Sequence, residues 1–363
     1  MSKIIIQNGN MCELDLPLKF AQKLYNEFAI RHPNAFYLRT RQRGMQNWDG
    51  KIHYITKTGQ FKIGLLPKVY DMCIEMGIKP KVVDMRQPLP KVSKVVTNIG
   101  KYKLRPEQEK AVKAVINNKI GNTPFHIGVL DYTVNAGKTL IMSSLYLSYK
   151  KQLKTLLITN DSDWLNQARE EFKQYLPGED ITFVQGKVLN WSNFTIGMVQ
   201  SISRNMRFYQ KELSQIDMVL VDEADQGGSK QYQNVITRLF NTRIRIGLSG
   251  TIYMSKLAKD KVKNMNLECF FGKVIAEFKL KDSIKKGYST KTVVKMVPGK
   301  PWYGNWESDC ISYKEIYDDS ITNCYTAWLM AYNRLLWNLN QGRYPALVVC
   351  KHIAHCENLY KFF

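Results

Sequence analysis

The sequence is poor in negative charge and lacks any long apolar run. It holds 31 Asp and Glu against 53 Lys and Arg, which gives a formal net charge of +22. No stretch approaches the roughly 20 consecutive apolar residues that span a membrane, and the N-terminus has no signal-peptide pattern. These absences disfavour a membrane protein, and we expect a cytoplasmic location without a membrane partner.

Cysteine and histidine are also scarce. The seven cysteines are odd in number and scattered, which is typical of reduced thiols in a cytosol and not of a disulfide framework. Zinc usually takes its four ligands from two separated pairs. A zinc site is therefore disfavoured in the one short segment that holds four metal-binding side chains. These are Cys350, His352, His355 and Cys356.

The excess of positive charge indicates a polyanionic partner, and nucleic acid is the commonest one. Residues 1–103 alone carry 18 Lys and Arg against 7 Asp and Glu. An anionic membrane surface is the alternative, but no basic amphipathic helix supports it. The apolar fraction of 44% is ample for buried cores. The length of 363 residues favours two or three domains, at roughly 150 residues each.

Patterning divides most of the chain into two predicted domains. Residues 1–98 indicate a small basic α+β domain with a helix over Leu18–Ile30, and the prolines within 86–98 predict a connector. Residues 99–300 alternate apolar runs with helical patterns, which predicts an α/β domain with a parallel sheet. Its predicted strands are His126–Leu130, Thr155–Thr159, Thr195–Val199, Met218–Val221, Ile244–Leu248 and Thr292–Met296.

A third segment, residues 301–363, holds a helical pattern over Asp319–Leu339, an apolar strand over Ala346–Val349 and the start of another helix. A lone parallel strand cannot pair its backbone or cover both of its faces. We therefore expect the chain to stop where a further domain continues. The aromatic side chains of Tyr325–Leu339 recur at helical spacing, and we interpret them as core.

The strongest motif is a loop between an apolar run and a helical pattern. In a P-loop of this kind, backbone amides and the helix N-terminus cradle phosphates. The Lys reaches the β- and γ-phosphates, and the Thr hydroxyl binds Mg²⁺. Tyr132 departs from the pattern, which has Gly there, and a helix N-cap is the alternative for a lone Gly-Lys-Thr. The loop comprises Thr133, Val134, Asn135, Ala136, Gly137, Lys138 and Thr139.

A second apolar strand pattern ends in acidic residues, Asp222-Glu223-Ala224-Asp225. The end of such a strand is where a carboxylate that holds Mg²⁺ is expected. Asp222 would hold the ion, and Glu223 would polarise the attacking water as a general base. The alternative is an exposed acidic turn, but the two motifs together predict nucleotide hydrolysis.

With these motifs the sequence resembles the superfamily 2 helicases, and other segments follow in that family's order. Residues 104–108 resemble the adenine-recognising element, which implies ATP as the nucleotide, with Arg105 and Gln108 beside it. Residues 249–251 resemble motif III, which couples the state of the γ-phosphate to the bound strand. Its candidate coupling residues are Ser249, Gly250 and Thr251. The residues that resemble motifs Ia and Ib, and that the family uses on nucleic acid, are Asn160, Gln167, Gln200 and Ser201.

A narrower resemblance is to the UvsW-type phage helicases, which remodel branched DNA in recombination and fork repair. Besides the loop, it rests on Asn47–Lys51, Phe270–Gly272 and Lys351–His355. It implies a RecA-like domain that follows the accessory domain and precedes the beginning of a second RecA-like domain. It also implies a host's cytoplasm as the location. The RNA-unwinding DEAD-box enzymes are the alternative, but their Pro-Thr-Arg-Glu-Leu motif is absent here.

The basic N-terminal domain offers a candidate DNA contact. Basic side chains flank Trp48, and such a set can bind phosphates and stack on a base. A compatible alternative is a β-hairpin with Asp49-Gly50 as its turn and with Trp48 in the core of the small domain. The basic residues are Arg39, Arg41, Arg43 and Lys51.

We therefore expect an ATP-dependent DNA helicase or translocase that acts on branched or double-stranded DNA. The alternatives are a DNA- and ATP-binding fragment without turnover, and an RNA helicase of the DEAD-box type. The sequence contains no Gln-x-x-Gly-Arg-x-x-Arg pattern, the family's motif VI. We expect almost all of the second motor domain to lie outside this chain, and turnover by the chain alone to be weak.

Overall fold

The computed structural model describes residues 2–41, 45, 47–149, 152–186, 190–252, 258–291, 312–317, 321–342 and 347–363. Contacts between residues divide the chain into two compact units, Met1–Lys291 and Thr292–Phe363. The predicted boundaries after residues 98 and 300 stay predictions. No described helix combines the length and the apolar character that a membrane crossing needs.

The N-terminal part forms a small mixed sheet with helices. Its elements are β1 (Lys3–Ile6), β2 (Met11–Asp15), α1 (Leu18–Glu27), β3 (Ala29–Arg31), α2 (Ala35–Arg41), β4 (Lys51–His53), β5 (Gln60–Lys62), α3 (Leu66–Glu75) and β6 (Lys81–Asp84). The sheet order is β5-β2-β1-β6, with β1 antiparallel to β2 and parallel to β6. A separate antiparallel pair joins β3 to β4. This is the small α+β arrangement that the sequence predicts.

Helix α1 is shorter than predicted. It begins at Leu18 but ends at Glu27, and the amide of Phe28 donates to the Leu24 carbonyl at 3.0 Å. Residues 29–31 form β3 instead, in which Ile30 is the register partner of Ile52. Helical spacing in the sequence does not reveal this cross-strand pair, which stabilises the extended conformation.

The predicted hairpin turn at Asp49-Gly50 is wrong. Because β4 pairs with β3, which precedes α2, these two residues end the connection from α2 to β4. Gly50 has a φ of +77°, which glycine adopts without a steric cost. Trp48 is half-buried, and its Nε1 donates to the Lys51 carbonyl at 2.9 Å. The indole is therefore held beside this connection and is not one of the buried core residues, contrary to the prediction.

The following part of the same unit contains the larger sheet. Its short strands and the helix between them are β7 (Asn98–Ile99), β8 (Tyr102–Lys103), α4 (Pro106–Ile116), β9 (Lys119–Ile120) and β10 (Thr123–Pro124). The elements that follow are β11 (His126–Tyr132), α5 (Lys138–Ser148), β12 (Thr155–Thr159), α6 (Ser162–Tyr175), β13 (Ile181–Val184), β14 (Phe194–Met198), α7 (Val199–Arg204), α8 (Gln210–Ser214), β15 (Met218–Asp222), α9 (Lys230–Ile236), β16 (Ile244–Ser249), α10 (Ala258–Phe271), β17 (Val274–Phe278) and α11 (Leu280–Lys285).

The seven strands of this sheet are all parallel, in the order β13-β14-β12-β15-β16-β11-β17. The predicted α/β class, with a RecA-like parallel sheet, is confirmed. The predicted strands from His126–Leu130 to Ile244–Leu248 are present within one or two residues of their bounds. The predicted strand Thr292–Met296 lies outside the described residues. Sequence reasoning missed the two edge strands, β13 and β17.

Two apolar cores cover the two faces of this sheet. Every residue of the central strands β11, β12, β15 and β16 is buried, as expected for parallel strands covered on both sides. One core, which contains Leu130, has all of its buried members beyond residue 98. The other extends from Ile127 and Phe271 to Ile4 and Phe61 of the N-terminal part. The small sheet and the large sheet therefore share a continuous core.

A buried arginine reinforces this junction. Arg245 of β16 is 0% exposed, and its Nη2 donates to the Gly9 carbonyl and to Asn10 Oδ1, each at 2.7 Å. Its Nη1 donates to the Phe270 carbonyl at 3.1 Å. Burial, with a smaller contribution from Arg86, lowers the pKa of Arg245 to about 9. No carboxylate pairs with it among the described residues. Backbone and amide oxygens accept from Nη1 and Nη2, whereas Nε has no hydrogen-bond partner among these residues.

Glycine permits the closest approach between the two parts. A Cβ atom built on Gly64 would lie 2.1 Å from the Glu268 carbonyl oxygen and 2.6 Å from that of Cys269. Both oxygens are backbone atoms of α10, so neither can move without shifting the helix. Nearby, Tyr54 donates its hydroxyl to Asn266 Oδ1 at 3.0 Å. Any larger residue at position 64 would separate the N-terminal part from α10.

The second unit contains α12 (Tyr313–Tyr317), α13 (Tyr325–Asn340) and α14 (Ile353–Phe362). The predicted strand Ala346–Val349 is not observed, because residues 347–349 have no regular structure and Leu347 is 87% exposed. A parallel strand needs a neighbouring strand, and the described part of this unit contains none. The start of a second RecA-like domain stays a prediction.

The helical pattern predicted over Asp319–Leu339 corresponds to α13, which begins later, at Tyr325. None of its residues is buried, so the interpretation of its aromatic side chains as core is wrong. Trp328 and Tyr332 are partly buried beside Phe362, with ring centroids 5.7 and 5.9 Å from that of Phe362. Helical spacing predicted the helix, but the described part of its unit supplies too few apolar neighbours to cover it.

The contact at Gly64 can be tested by substitution. We expect Gly64→Ala to lower the free energy of unfolding of the first unit by about 1–3 kcal/mol or more, because the added methyl group overlaps backbone atoms. Thermal unfolding measured by circular dichroism checks this. Gly228→Ala is the matched control, since its Cβ would meet only the Lys263 carbonyl oxygen at 3.8 Å. Equal unfolding midpoints for the two variants would contradict the expectation.

Candidate nucleotide and nucleic-acid sites

The predicted phosphate loop connects β11 to α5 in a left-handed conformation. Asn135 has a φ of +63°, and Gly137, which caps α5, has a φ of +73°. The positive φ favours glycine at position 137, and a Cβ there would lie 2.3 Å from Gln108 Nε2, so a larger residue would also displace that side chain. The first amides of α5 have no partner within the helix and carry the positive end of its dipole. The loop is therefore shaped to receive an anion.

A cavity of about 390 Å³ opens in front of this loop. Helix α6 supplies one wall, and the end of β15 supplies another. Two predicted site residues from different elements, Lys138 at the start of α5 and Asp222 at the end of β15, thus face the same space. The lining residues are Val134, Asn135, Ala136, Gly137, Lys138, Thr139, Leu140, Trp164, Gln167, Glu171, Tyr175, Asp222 and Glu223.

Lys138 lies between the two predicted catalytic carboxylates. Its Nζ is 3.4 Å from Asp222 Oδ1 and 3.5 Å from Glu223 Oε1. Burial raises the pKa of Asp222, and the Lys138 ammonium opposes that rise. The pKa of Glu223 is raised by the same cause, again opposed by Lys138, and Asp222 adds to the rise. The lysine therefore holds negative charge in a place that burial alone would disfavour.

The backbone at Glu223 is strained. Its φ of +53° is left-handed, which costs a non-glycine residue on the order of 1–3 kcal/mol. A single 3₁₀ turn, Ala224–Gln226, follows directly. The sharp turn ends β15 so that both Asp222 and Glu223 come within reach of Lys138.

The site has donors suited to a hard cation. Oδ1 of Asp222 is buried and accepts no hydrogen bond, and Thr139 lines the same cavity. Hydroxyl and carboxylate oxygens are the ligands that Mg²⁺ takes in proteins, so these two residues fit the ion. The described residues contain no cluster of three or more His, Cys, Asp or Glu suited to a metal.

The predicted adenine-recognising residues contact the loop itself. Gln108 is fully buried, its Oε1 accepts from the Arg105 amide, and its Nε2 donates to the Ala136 carbonyl, both at 2.8 Å. Arg105 Nη2 donates to the Asn135 carbonyl at 3.1 Å. Its Cζ lies 4.3 Å from the centre of the Tyr288 ring. Sequence reasoning missed Tyr288, because no motif marks an aromatic residue so far along the chain.

The motif III residues touch both the loop and the acidic turn. Ser249 Oγ donates to Asp225 Oδ1 at 3.1 Å and accepts from the Thr251 amide at 3.2 Å. A Cβ on Gly250 would lie 3.2 Å from Thr133 Cα. The end of β16 therefore packs against the start of the phosphate loop.

Three of the four predicted motif Ia and Ib residues lie at neighbouring strand ends. Gln200 Nε2 donates to the Asn160 carbonyl at 3.2 Å, and Asn160 Nδ2 donates to Gln226 Oε1. Ser201 Oγ accepts from the Gly186 amide at 3.0 Å. These contacts join the ends of β12 and β14 to the acidic turn after β15.

Gln167 is placed differently from its three predicted companions. It lines the cavity before the phosphate loop and donates to Glu171 Oε1 at 2.7 Å on the same helix. The sequence predicted that Gln167 and Asn160 contact nucleic acid together. Helix α6 instead places Gln167 at the cavity in front of the predicted phosphate loop. Its contact with nucleic acid stays a prediction.

The N-terminal basic residues form a separate exposed group. Arg39 and Arg41 lie on α2, and Lys51 begins β4. The Arg41 guanidinium lies 4.9 Å from the centre of the Tyr37 ring. Arg43 lies outside the described residues. The three described residues are exposed and available to a polyanion.

Comparison with known proteins agrees with this geometry. The family model for the type III restriction enzyme res subunit matches residues 101–254. The ATP-dependent DNA helicase uvsW of Enterobacteria phage T4 is 22% identical over 228 residues, which are 57% of this chain and 43% of that helicase. The chain thus aligns with less than half of that relative's length.

Two solved structures share the fold. The crystal structure of the UvsW helicase from bacteriophage T4 matches with a TM-score of 0.59 at 21% identity, over 77% of this chain and 99% of that one. A second crystal structure of T4 UvsW matches with a TM-score of 0.60 at 19% identity, over 99% of this chain and 72% of that one. The sequence match and the common fold together show that this chain is similar to the UvsW helicase of phage T4.

Proposed function

We propose that this chain binds ATP with Mg²⁺ and couples hydrolysis to movement on branched or double-stranded DNA. The observation that carries the proposal is the position of Lys138 Nζ, within 3.5 Å of both Asp222 and Glu223 at the phosphate loop. The T4 relative is described as an ATP-dependent DNA helicase, which supports the same activity here. The expected setting is phage recombination, repair or replication in a host's cytoplasm.

Each group of the site has a definite task in hydrolysis. The loop amides and the N-terminus of α5 hold the phosphates, and Lys138 can turn its ammonium from the carboxylates to the β- and γ-phosphates. Thr139 and Asp222 would hold Mg²⁺, which when bound neutralises charge that develops on the phosphates. Glu223 accepts a proton from the attacking water, a role that a raised carboxylate pKa favours.

Hydrogen bonds connect this site to the candidate nucleic-acid residues. The turn after Glu223 holds Gln226, whose Oε1 accepts from Asn160, and the Asn160 carbonyl accepts from Gln200. Asp225 of the same turn accepts from Ser249. A change at Glu223 on hydrolysis would therefore reach both motif III and the strand ends proposed to contact DNA.

The catalytic assignment predicts the behaviour of two variants. We expect Lys138→Ala and Glu223→Gln each to lower DNA-stimulated phosphate release at least about 100-fold, because they remove a phosphate ligand and the base. Lys110→Ala, which changes an exposed lysine on α4, should release phosphate like the unaltered chain.

The assay is run on this chain and on one extended past Phe363. The extended chain tests the alternative that this chain alone binds DNA without turning over ATP. The proposal is wrong if, in both chains, the Lys138→Ala variant releases phosphate as fast as the unaltered protein.

The contacts of Gln108 make a further prediction about the nucleotide. Because both ends of its amide engage the loop, we expect Gln108→Ala to weaken ATP and GTP binding by similar factors, at a cost of about 1–3 kcal/mol. Equilibrium binding of fluorescent ATP and GTP analogues measures both affinities. A loss confined to ATP would show instead that the amide turns to read adenine.

The exposed cations predict a salt-dependent affinity for DNA. Each phosphate contact contributes about 0.9 to the slope of log affinity against log salt concentration. We expect Arg39→Ala, Arg41→Ala and Lys51→Ala each to reduce that slope by about 0.9, and Lys110→Ala to leave it unchanged. Competition with duplex RNA in the same titrations addresses the DEAD-box alternative, since preferred binding of RNA would contradict the assignment to DNA.

A further inference from the structure

A second cavity lies at the amino-terminal edge of the large sheet, away from the phosphate loop. Its volume of about 570 Å³ falls within the roughly 300–1,000 Å³ of sites for small ligands. His126, which lines it, is the first residue of β11, whereas the phosphate loop follows the last residue, Tyr132. A strand of seven residues spans about 20 Å, so the two cavities lie at opposite edges of the sheet.

Two buried side chains on this cavity each have a polar atom without a partner. His126 is 7% exposed, and its Nδ1 lies 2.8 Å from the Val115 carbonyl oxygen. Nδ1 therefore carries the proton, and Nε2 is an acceptor to which no described residue donates. The side chain of Tyr149 is 3% exposed, and its hydroxyl has no hydrogen-bond partner in the described part of the chain. Because unpaired buried polar groups are destabilising, a ligand that bonds to both is favoured.

Burial keeps both of these side chains uncharged. It lowers the pKa of His126, and the hydrogen bond to the Val115 carbonyl only partly opposes this change. Burial raises the pKa of Tyr149 to about 12, although the nearby Arg243 opposes the rise. At neutral pH the imidazole therefore accepts a hydrogen bond, and the phenol can donate one. The two groups suit a ligand edge that offers an N–H donor and a carbonyl acceptor.

The charge left over on the cavity wall is a single cation. Arg86 pairs with Asp84 at 2.7 Å, and Arg243 pairs with Asp217 at 2.6 Å. Lys91 is exposed and pairs with no carboxylate among the residues that the structure describes. It lines the cavity where the wall meets solvent, so an anionic group of a ligand would be stabilised there.

The wall between the buried polar atoms and this lysine is apolar and held in place. Leu89 and Val92, in the connector predicted over residues 86–98, line it together with Ile116 of α4. Arg243 Nη1 donates to the Gln87 carbonyl at 3.1 Å, which fixes the connector against the sheet. Such apolar side chains suit the faces of an aromatic ring, whereas the few polar groups set its orientation.

We propose that this cavity binds a nucleoside monophosphate whose base has a lactam edge, as thymine and guanine do. The N–H of the base donates to His126 Nε2, its carbonyl accepts from the Tyr149 hydroxyl, and the phosphate lies beside Lys91. This ligand has a polar edge, an apolar ring and an anion in the order in which the cavity offers their partners. The inference goes beyond the proposed function, because the site is neither the phosphate loop nor a contact with DNA.

Isothermal titration calorimetry of the full chain with deoxythymidine monophosphate tests the proposal. We expect saturable binding at one site per chain. Tyr149→Phe removes only the hydroxyl, and His126→Asn keeps a donor for the Val115 carbonyl while it removes the acceptor. Each variant should weaken binding about tenfold, because one hydrogen bond is lost.

The phosphate contact has a matched pair of variants. Lys91→Ala should weaken binding about tenfold, because it removes the cation beside the phosphate. Lys94→Ala removes an exposed lysine of the same connector that does not line the cavity. It should bind the probe like the unaltered chain, and an equal loss in both variants would contradict the assigned position of the phosphate.

Modified probes test the unaltered chain and so do not depend on the folding of any variant. A thymidine monophosphate methylated on the ring N–H cannot donate to His126, and it should bind about tenfold more weakly. Deoxyribose phosphate lacks the base and should bind more weakly still. If either probe bound as tightly as deoxythymidine monophosphate, the assignment of a base to this cavity would be wrong.

The proposal is overturned if the unaltered chain does not bind deoxythymidine monophosphate, since water alone would then serve the two unpaired groups. It is also overturned if Tyr149→Phe and His126→Asn both bind the probe like the unaltered chain. Equal thermal unfolding midpoints show that a weakened variant is still folded.

Lys138→Ala separates this site from the nucleotide cavity. It should bind the probe like the unaltered chain, because the substitution lies at the other edge of the sheet. Lost binding in this variant would place the probe at the phosphate loop and overturn the proposal. A failure of ATP hydrolysis alone would contradict the proposed function and leave this site intact.

Discussion

The burial of Arg245 is the constraint on which the first unit depends. Burying a guanidinium without a carboxylate partner is costly, and hydrogen bonds from its donors to other groups reduce that cost. Here the acceptors come from Gly9 and Asn10, in the connection between β1 and β2 of the small sheet, and from Phe270 of α10. If the small sheet moved away, the charge would lose most of these acceptors while still inside the core. The larger sheet can therefore hold Arg245 buried and hydrogen-bonded only while the N-terminal part packs against it.

The position of Arg245 along β16 gives this constraint a functional meaning. The same strand ends in Ser249, which contacts the acidic turn, and continues to Gly250, which packs on the phosphate loop. One strand thus connects the anchor of the basic N-terminal part to the cavity in front of the predicted phosphate loop. Under the proposed function, force generated at the cavity would act directly on the part of the molecule that holds DNA.

The sequence predicted the features that local chemistry determines. The loop between β11 and α5, the acidic end of β15 and five of the six strands from β11 to β16 follow from glycine, charge and apolar patterning over short distances. The pairing of β3 with β4, the position of Gln167 and the stacking of Arg105 on Tyr288 depend on residues far apart in the chain. Tertiary packing decides such contacts, and a single sequence does not reveal it.

The continuous core between the two sheets also bears on how this unit folds. Residues such as Ile4 and Phe61 cover the same apolar face as Ile127 and Phe271. A chain released from the ribosome can complete that core only after the large sheet has formed, although the small sheet's residues emerge first. Folding of the first unit should therefore be a single cooperative event, and its two parts would be inherited together more readily than exchanged between proteins.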